Sequence, residues 1–344
     1  MRWQSAFIFL LSVALIAWFL RGVDLHELEH VLARAHPGWI AAGVFAVLLT
    51  YIVRAWRWQV LLAPIVLRTS ALGTRGQGTT GVSFRNSFRI TVMGFTATNL
   101  LPGRLGEILR PYLIARVEPV STAAALATIL IERLLDLAAI TLLFGVFLFT
   151  TSSDVGAKVK WVGALASGIA VISLGVLIFG AGHPVVLRRW SEAFTRRLPA
   201  KIADVAGRFA HTLVDGLLVM RQPRAVTMAA AQSVLLWLAI SLAIWCAGRA
   251  LDLTFAFPDT FLIVMYLVVG VAVPVPSGVG SYHFMYQLAV TSMFHVSRDV
   301  AAAAAIVTHA VSFLPISVLG VVYLAQDGWT LARLRSVQSD GGRR

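Results

Sequence analysis

Apolar runs of about 20 residues recur along this chain, and each matches the ~30 Å hydrocarbon core of a bilayer. Six occur, at residues 3–20, 38–62, 122–150, 159–182, 224–250 and 299–325. Backbone polar groups inside lipid must be satisfied within their own segment, so these runs are expected as helices. The chain is 58% hydrophobic and only 13% charged, which excludes a soluble globular fold. The expected class is therefore all-α: a polytopic membrane protein.

Two further apolar stretches, residues 84–116 and 257–295, are too long for one span, and Pro and Gly interrupt each. In the first, the arms on either side of Pro102 and Gly103 reach about 25 and 20 Å at helical rise, each shorter than the core is thick. Such a stretch can dip into the membrane and return to the side it came from.

Charge placement tests that idea. The net charge of +13 sits between the apolar runs rather than on a soluble face, which favours anionic lipid over nucleic acid as its counterpart. Residues 183–224 hold eight Lys or Arg against three acids, and residues 54–89 hold six Arg and no acid. Both belong in the cytoplasm by the positive-inside rule, as does the tail with Arg333, Arg335, Arg343 and Arg344, whereas residues 21–36, with Asp24, Glu27 and Glu29, belong outside. All the basic segments share one side only if 84–116 enters and returns.

The expected architecture is thus about six full spans plus two re-entrant hairpins, 84–116 and 257–295, within a single integral membrane domain over residues 1–344. The basic segment 183–224 and both termini are cytoplasmic, in the cell inner membrane. Arg2 and the apolar stretch 5–20, with no small-x-small pattern before Arg21, read as an uncleaved first span.

The two interruptions echo each other. Pro102-Gly103-Arg104-Leu105-Gly106 and Pro276-Ser277-Gly278-Val279-Gly280 share a P-x-x-[LV]-G pattern, with Pro274 just ahead of the second. Three spans separate them, so they enter from opposite sides, and the expected arrangement is an inverted repeat. A helix that begins at mid-depth leaves its first N–H groups unpaired, which suits a polar cavity and an anion. The alternative is a pair of kinks packed against neighbouring helices.

Arg104, Glu107 and Arg110 follow the first break at i+3 spacing, so one helix face reads plus, minus, plus. Two guanidinium forks suit a phosphate, and the carboxylate can orient them; the rival reading is a self-neutralising triad at the membrane interface. Glu132, Arg133 and Asp136 lie about 15–20 Å into their span, where charges line a pathway or clamp one another, as Arg133 and Asp136 can at i+3. His283 and His309 can relay protons or bond helix to helix.

Arg54, Trp56, Arg57 and Trp58 form the inner end of the second span as an interfacial anchor. Arg54, Arg57 and Asn99 are also candidate headgroup ligands. The single cysteine, Cys246, supplies no disulfide or cysteine metal site. Residues 73–81, rich in glycine, lack the lysine of a phosphate-binding loop. No cofactor, metal or catalytic constellation is expected.

The sequence resembles a flippase-like membrane family related to the amino-terminal membrane half of lysylphosphatidylglycerol synthases. The resemblance covers nearly the whole chain. Arg54-Ala-Trp-Arg-Trp58, Asn99-Leu-Leu-Pro-Gly-Arg-Leu-Gly-Glu107 with Arg110, Glu132-Arg-Leu-Leu-Asp136 and Pro274-Val-Pro-Ser-Gly-Val-Gly280 carry it. In that family a Glu commonly follows the second break; here Ser281-Tyr282-His283 stand in its place, with His283 as a titratable substitute.

The resemblance implies the translocating half without an aminoacyl-transfer domain. The expected function is translocation of an anionic phospholipid or polyprenyl-linked lipid between leaflets. Alternatives are a membrane partner of a glycosyltransferase or lipid-synthesis enzyme, and an intramembrane enzyme acting on headgroups.

Overall fold

The computed structural model describes residues 23–71, 81–101, 106–150, 222–273 and 275–328, with isolated positions elsewhere. Among the described residues all regular structure is helical: α1 (Leu25–Ala33), α2 (Pro37–Ala71), α3 (Phe84–Leu100), α4 (Gly106–Val117), α5 (Thr122–Thr150), α6 (Pro223–Arg249), α7 (Asp259–Ala272), α8 (Ser281–Phe294) and α9 (Arg298–Gln326). A single 3-10 turn, Pro276–Gly278, lies between α7 and α8. Three segments, Pro37–Leu67, Pro223–Arg249 and Arg298–Gln326, are long and apolar enough to cross a bilayer. The fourth long helix, α5, has 29 residues but carries Glu132, Arg133 and Asp136 in its middle turns. The apolar runs expected at 3–20 and 159–182, nearly all of the basic segment 183–224 and most of the glycine-rich stretch 73–81 lie outside the described residues.

Helices α2 and α6 run side by side in opposite directions. His36 N–H, just before α2, donates to the Ala250 carbonyl just after α6 at 2.8 Å. Small residues permit the contact: a Cβ on Gly43 would stand 3.5 Å from the Ala243 carbonyl oxygen and 3.2 Å from Val311 of α9. Between membrane helices, where lipid is as apolar as a leucine, close backbone approach replaces hydrophobic exclusion as the source of attraction. The run Ala301 to Ala305 opens α9 on the same rule, with all five alanines fully buried.

α3 and α4 do not continue one another. A Cβ on Gly106 would overlap the Gly94 carbonyl oxygen and the Thr98 hydroxyl, so the first residue of α4 lies against a residue twelve positions earlier on α3. At helical rise those positions would stand about 18 Å apart in a straight rod. α3 and α4 therefore pack against each other as the two arms of a hairpin. At its foot, buried Glu118 accepts hydrogen bonds from Ser83 N–H (3.1 Å) and Asn86 Nδ2 (2.7 Å).

α7 and α8 repeat this geometry. A Cβ on Gly270 would sit 2.9 Å from the Ser281 carbonyl oxygen, and Ser281 Oγ donates to the Gly270 carbonyl at 2.7 Å. Between them the backbone turns through three left-handed residues, Ser277 (φ 52°), Gly278 (φ 65°) and Gly280 (φ 88°). Glycine supplies this conformation without steric cost; Ser277 adopts it at a cost of about 1 kcal/mol or more.

The feet of the hairpins lie at opposite ends of α9. Arg89, near the start of α3, pairs with Asp327 beyond the end of α9 at 2.7 Å. Gln287 of α8 donates to the Arg298 carbonyl at the start of α9 at 3.2 Å. The tips meet near its middle, where Ser277 Oγ donates to the Asn99 carbonyl at 2.8 Å. α9 holds both tips: Asn99 Nδ2 reaches Ser317 Oγ (3.1 Å), Thr96 Oγ1 reaches the Ile316 carbonyl (3.0 Å), and His309 Nε2 lies 2.9 Å from the Ser277 carbonyl.

Candidate functional site

A chain of buried ion pairs crosses α2, α4 and α5. Arg110 of α4 gives Nη1 to Glu132 Oε2 at 3.0 Å. The other oxygen of Glu132 faces Arg57 Nε at 3.9 Å. Arg57 donates through both Nη atoms to the two oxygens of Asp136, and through Nη1 to Ser233 Oγ of α6 at 2.7 Å. Arg133 Nη2 closes the chain on Asp136 Oδ2 at 3.3 Å, and Trp237 Nε1 of α6 donates to Asp136 Oδ1 at 3.1 Å. Arg57 is 0% exposed, Glu132 1%, and Arg110 and Asp136 3% each.

Spacing places these groups. Glu132 and Asp136 are one turn apart on a single face of α5, so both carboxylates point at Arg57. Ser233 and Trp237 stand one turn apart on α6, opposite them. Arg110 reaches the cluster because α3 offers no side chain at Gly94: a Cβ there would overlap Cγ of Arg110. The close approach of the first hairpin's arms and the entry of its arginine therefore share one requirement, a glycine at position 94.

Aromatic rings hold the guanidinium planes. Arg110 lies over Trp58 (4.4 Å to the ring centre) and Phe95 (5.5 Å); Arg54 lies over the same Phe95 (4.6 Å) and over Tyr51 (5.8 Å). Such contacts are worth about 0.5–2 kcal/mol each, most where water is excluded. Several donors stay open within the buried site: Arg110 Nε and Nη2, Arg54 Nε, Arg57 Nε and Arg133 Nε have no hydrogen-bond partner. Buried polar atoms are rarely left so, and a group of them on one set of cations suits an acceptor from outside the chain.

The interfacial-anchor reading of the second span's inner end holds for only part of it. Trp56 is 45% exposed, but Arg57 and Trp58 are wholly buried, the first on Asp136 and the second donating Nε1 to Thr128 Oγ1 at 3.0 Å. Helical geometry is the reason, since adjacent residues project about 100° apart and only one face meets lipid. Arg110, placed with Glu107 on one face, turns to Glu132 on α5 instead. Glu107 is half-buried on α4; Pro102, Gly103, Arg104 and Pro274 lie outside the described residues. The Arg133–Asp136 clamp does form, as one link of the larger chain.

Asn99 belongs to the meeting point of the tips, bonded to Ser277 and Ser317. His283 and His309 stand there too, with ring centres 4.5 Å apart. His283 Nδ1 accepts from the Gly280 N–H at 3.3 Å, tying the start of α8. Among the described residues no group of three or more His, Cys, Asp or Glu is arranged to hold a metal ion. Ser233 and Trp237 were not singled out from the sequence; the adjacent Gln232 and Ser233, polar within an apolar run, were the available signal.

The chain is similar in sequence to known membrane proteins. A UPF0104 membrane protein of Methanothermobacter thermautotrophicus is 24% identical over 95% of this chain and 97% of its own length. A UPF0104 membrane protein of Methanocaldococcus jannaschii is 24% identical over 155 residues, 44% of this chain; the match spans 40% of that relative's length. The family described as the lysylphosphatidylglycerol synthase TM region matches residues 5–320. With helices long and apolar enough to cross a bilayer and a family match over nearly its whole length, the chain is an integral membrane protein and belongs to the lysylphosphatidylglycerol synthase TM region family.

Proposed function

We propose that this protein is a flippase-like translocase that moves an anionic lipid between the leaflets of the cell inner membrane. Residues 84–116 and 257–295 are re-entrant hairpins of an inverted repeat, with the basic segment 183–224 and both termini in the cytoplasm. The hairpin feet at opposite ends of α9, and the tips touching at Asn99 and Ser277, support this topology.

The observation that carries the reading is Arg110. Its guanidinium is buried between Trp58 and Phe95, and one nitrogen pairs with Glu132 while two donors stay open. A cation held in this way beside other arginines is a binding site for an anion that leaves its acyl chains in lipid. Glu132 and Asp136 hold the arginines in place, and the His283–His309 pair lines the route at the tips. A carrier of this kind forms and breaks no covalent bond.

The test is transbilayer movement of fluorescent phosphatidylglycerol in proteoliposomes, read by dithionite quenching. The wild-type protein is expected to accelerate movement. Arg110→Gln is expected to slow it by about tenfold or more, the loss of one charge-assisted contact. Unchanged movement in a variant that purifies intact removes Arg110 from the role. A wild-type protein that moves no lipid but copurifies with a glycosyltransferase or lipid-synthesis enzyme would favour the membrane-partner reading instead.

A further inference from the structure

The charge of the arginine cage specifies its ligand more narrowly than "anionic". The ion-pair chain runs Arg110, Glu132, Arg57, Asp136, Arg133: three guanidiniums on two carboxylates. Arg54 shares the Phe95 ring with Arg110 and makes no ion pair among the described residues, so the cage holds two positive charges in excess. Arg54 and Arg133 are half-buried at the edge of the cage, where two uncompensated charges repel each other, less than they would in a fully dry interior. A ligand with one negative charge relieves half of that excess; a ligand with two relieves all of it.

The open donors match. Nε and Nη2 of Arg110 lie along one edge of the guanidinium, the edge that takes two oxygens of a phosphate side by side, and neither has a partner. The Trp58 and Phe95 rings, with centres 4.4 and 5.5 Å from the guanidinium carbon, crowd the group and limit its freedom to rotate. Asp136 is hydrogen-bonded through both oxygens, and Glu132 Oε1, which makes no hydrogen bond, faces Arg57 Nε at 3.9 Å, so an amine approaching it would meet the surrounding guanidiniums.

From this we infer that the cage selects a lipid whose phosphate carries two negative charges, a phosphomonoester or a diphosphate, over phosphodiester, zwitterionic and aminoacylated headgroups. The inference rests on the lipid-headgroup reading above and narrows its substrate class.

The test is equilibrium binding to the full chain in detergent, by native mass spectrometry, with dioleoyl phosphatidic acid, phosphatidylglycerol and phosphatidylethanolamine as probes. At pH 7.5 phosphatidic acid is expected to bind about tenfold more tightly than phosphatidylglycerol, and phosphatidylethanolamine more weakly than either. At pH 5.5 the advantage of phosphatidic acid should shrink, because a phosphomonoester loses its second charge below a pKa near about 6. Glycerol 3-phosphate, the same charged group without acyl chains, is expected not to displace it at equal concentration; displacement would identify a soluble phosphate ligand and overturn the lipid assignment.

Arg54→Gln, which leaves the ion-pair chain whole, should bring phosphatidic acid down to the affinity of phosphatidylglycerol, whereas Arg54→Lys should keep the preference. Equal affinities in the wild type, or a preference that survives Arg54→Gln, overturn the inference. Binding is read here without movement. Selective binding with no transbilayer movement would sink the translocase reading alone, and lipid movement with unselective binding would sink this inference alone.

Discussion

Ser277, in a left-handed conformation at the second chain break, gives its hydroxyl to the Asn99 carbonyl at the first break, 2.8 Å away. One bond thus joins two interruptions that lie 178 residues apart in sequence. The Asn99 carbonyl is at the last turn of α3, where no intrahelical donor remains for it. The contact satisfies a helix end that lipid could not solvate.

Ser277→Ala should lose that bond and keep the backbone strain, lowering stability by about 1–2 kcal/mol. Ser277→Gly loses the bond but relaxes the left-handed residue, so it should be milder than alanine. Thermal unfolding in detergent, followed by tryptophan fluorescence, ranks the two variants; alanine at or above glycine would contradict the strain argument.

Gly106→Ala should prevent the first hairpin from closing, since the new methyl group overlaps backbone on α3 that cannot swing away. Gly145→Ala on α5 meets nothing within 4 Å. It should be neutral or stabilise by up to about 1 kcal/mol through helix propensity. Size-exclusion profiles of fluorescent fusions distinguish an aggregated Gly106→Ala from a monodisperse Gly145→Ala.

Glu132→Gln leaves Arg110 and Arg57 buried with one carboxylate fewer, and about 3–5 kcal/mol of destabilisation is expected. Adding Arg110→Met to that variant should recover part of the loss, because the orphaned charge is gone as well. The recovery is read as a positive coupling in a double-mutant cycle of unfolding free energies.

Arg89→Ala removes the pair with Asp327 at the hairpin foot, where both side chains meet solvent, and about 0–1 kcal/mol is expected. The contrast with Glu132→Gln is the informative result. Similar losses at both sites would mean that burial does not set the value of these pairs.

Much of the site was legible one residue at a time. Glu132, Arg133 and Asp136 stand out because charge inside an apolar run is costly, and Arg110 because it follows a break. Their pairing was not legible. Arg110 has Glu107 one turn away on its own helix, yet it meets Glu132 on α5, and only the fold of the hairpin sets that distance. Arg57 and Trp58 read as an interfacial anchor because sequence gives depth along a span but not the face on which a residue lies.

By itself the sequence determined that this chain is helical and lives in a membrane, since apolar length and charge spacing act through local hydrogen bonding and transfer to lipid, which depend on neither topology nor partner. It also located both breaks, because proline and glycine act on their own backbone. Tertiary structure alone decided that the breaks touch, that Gly94 admits Arg110, and that four arginines gather around two carboxylates. These facts depend on distances between helices, and in lipid those distances come from close packing of small residues rather than from any pattern a single helix carries.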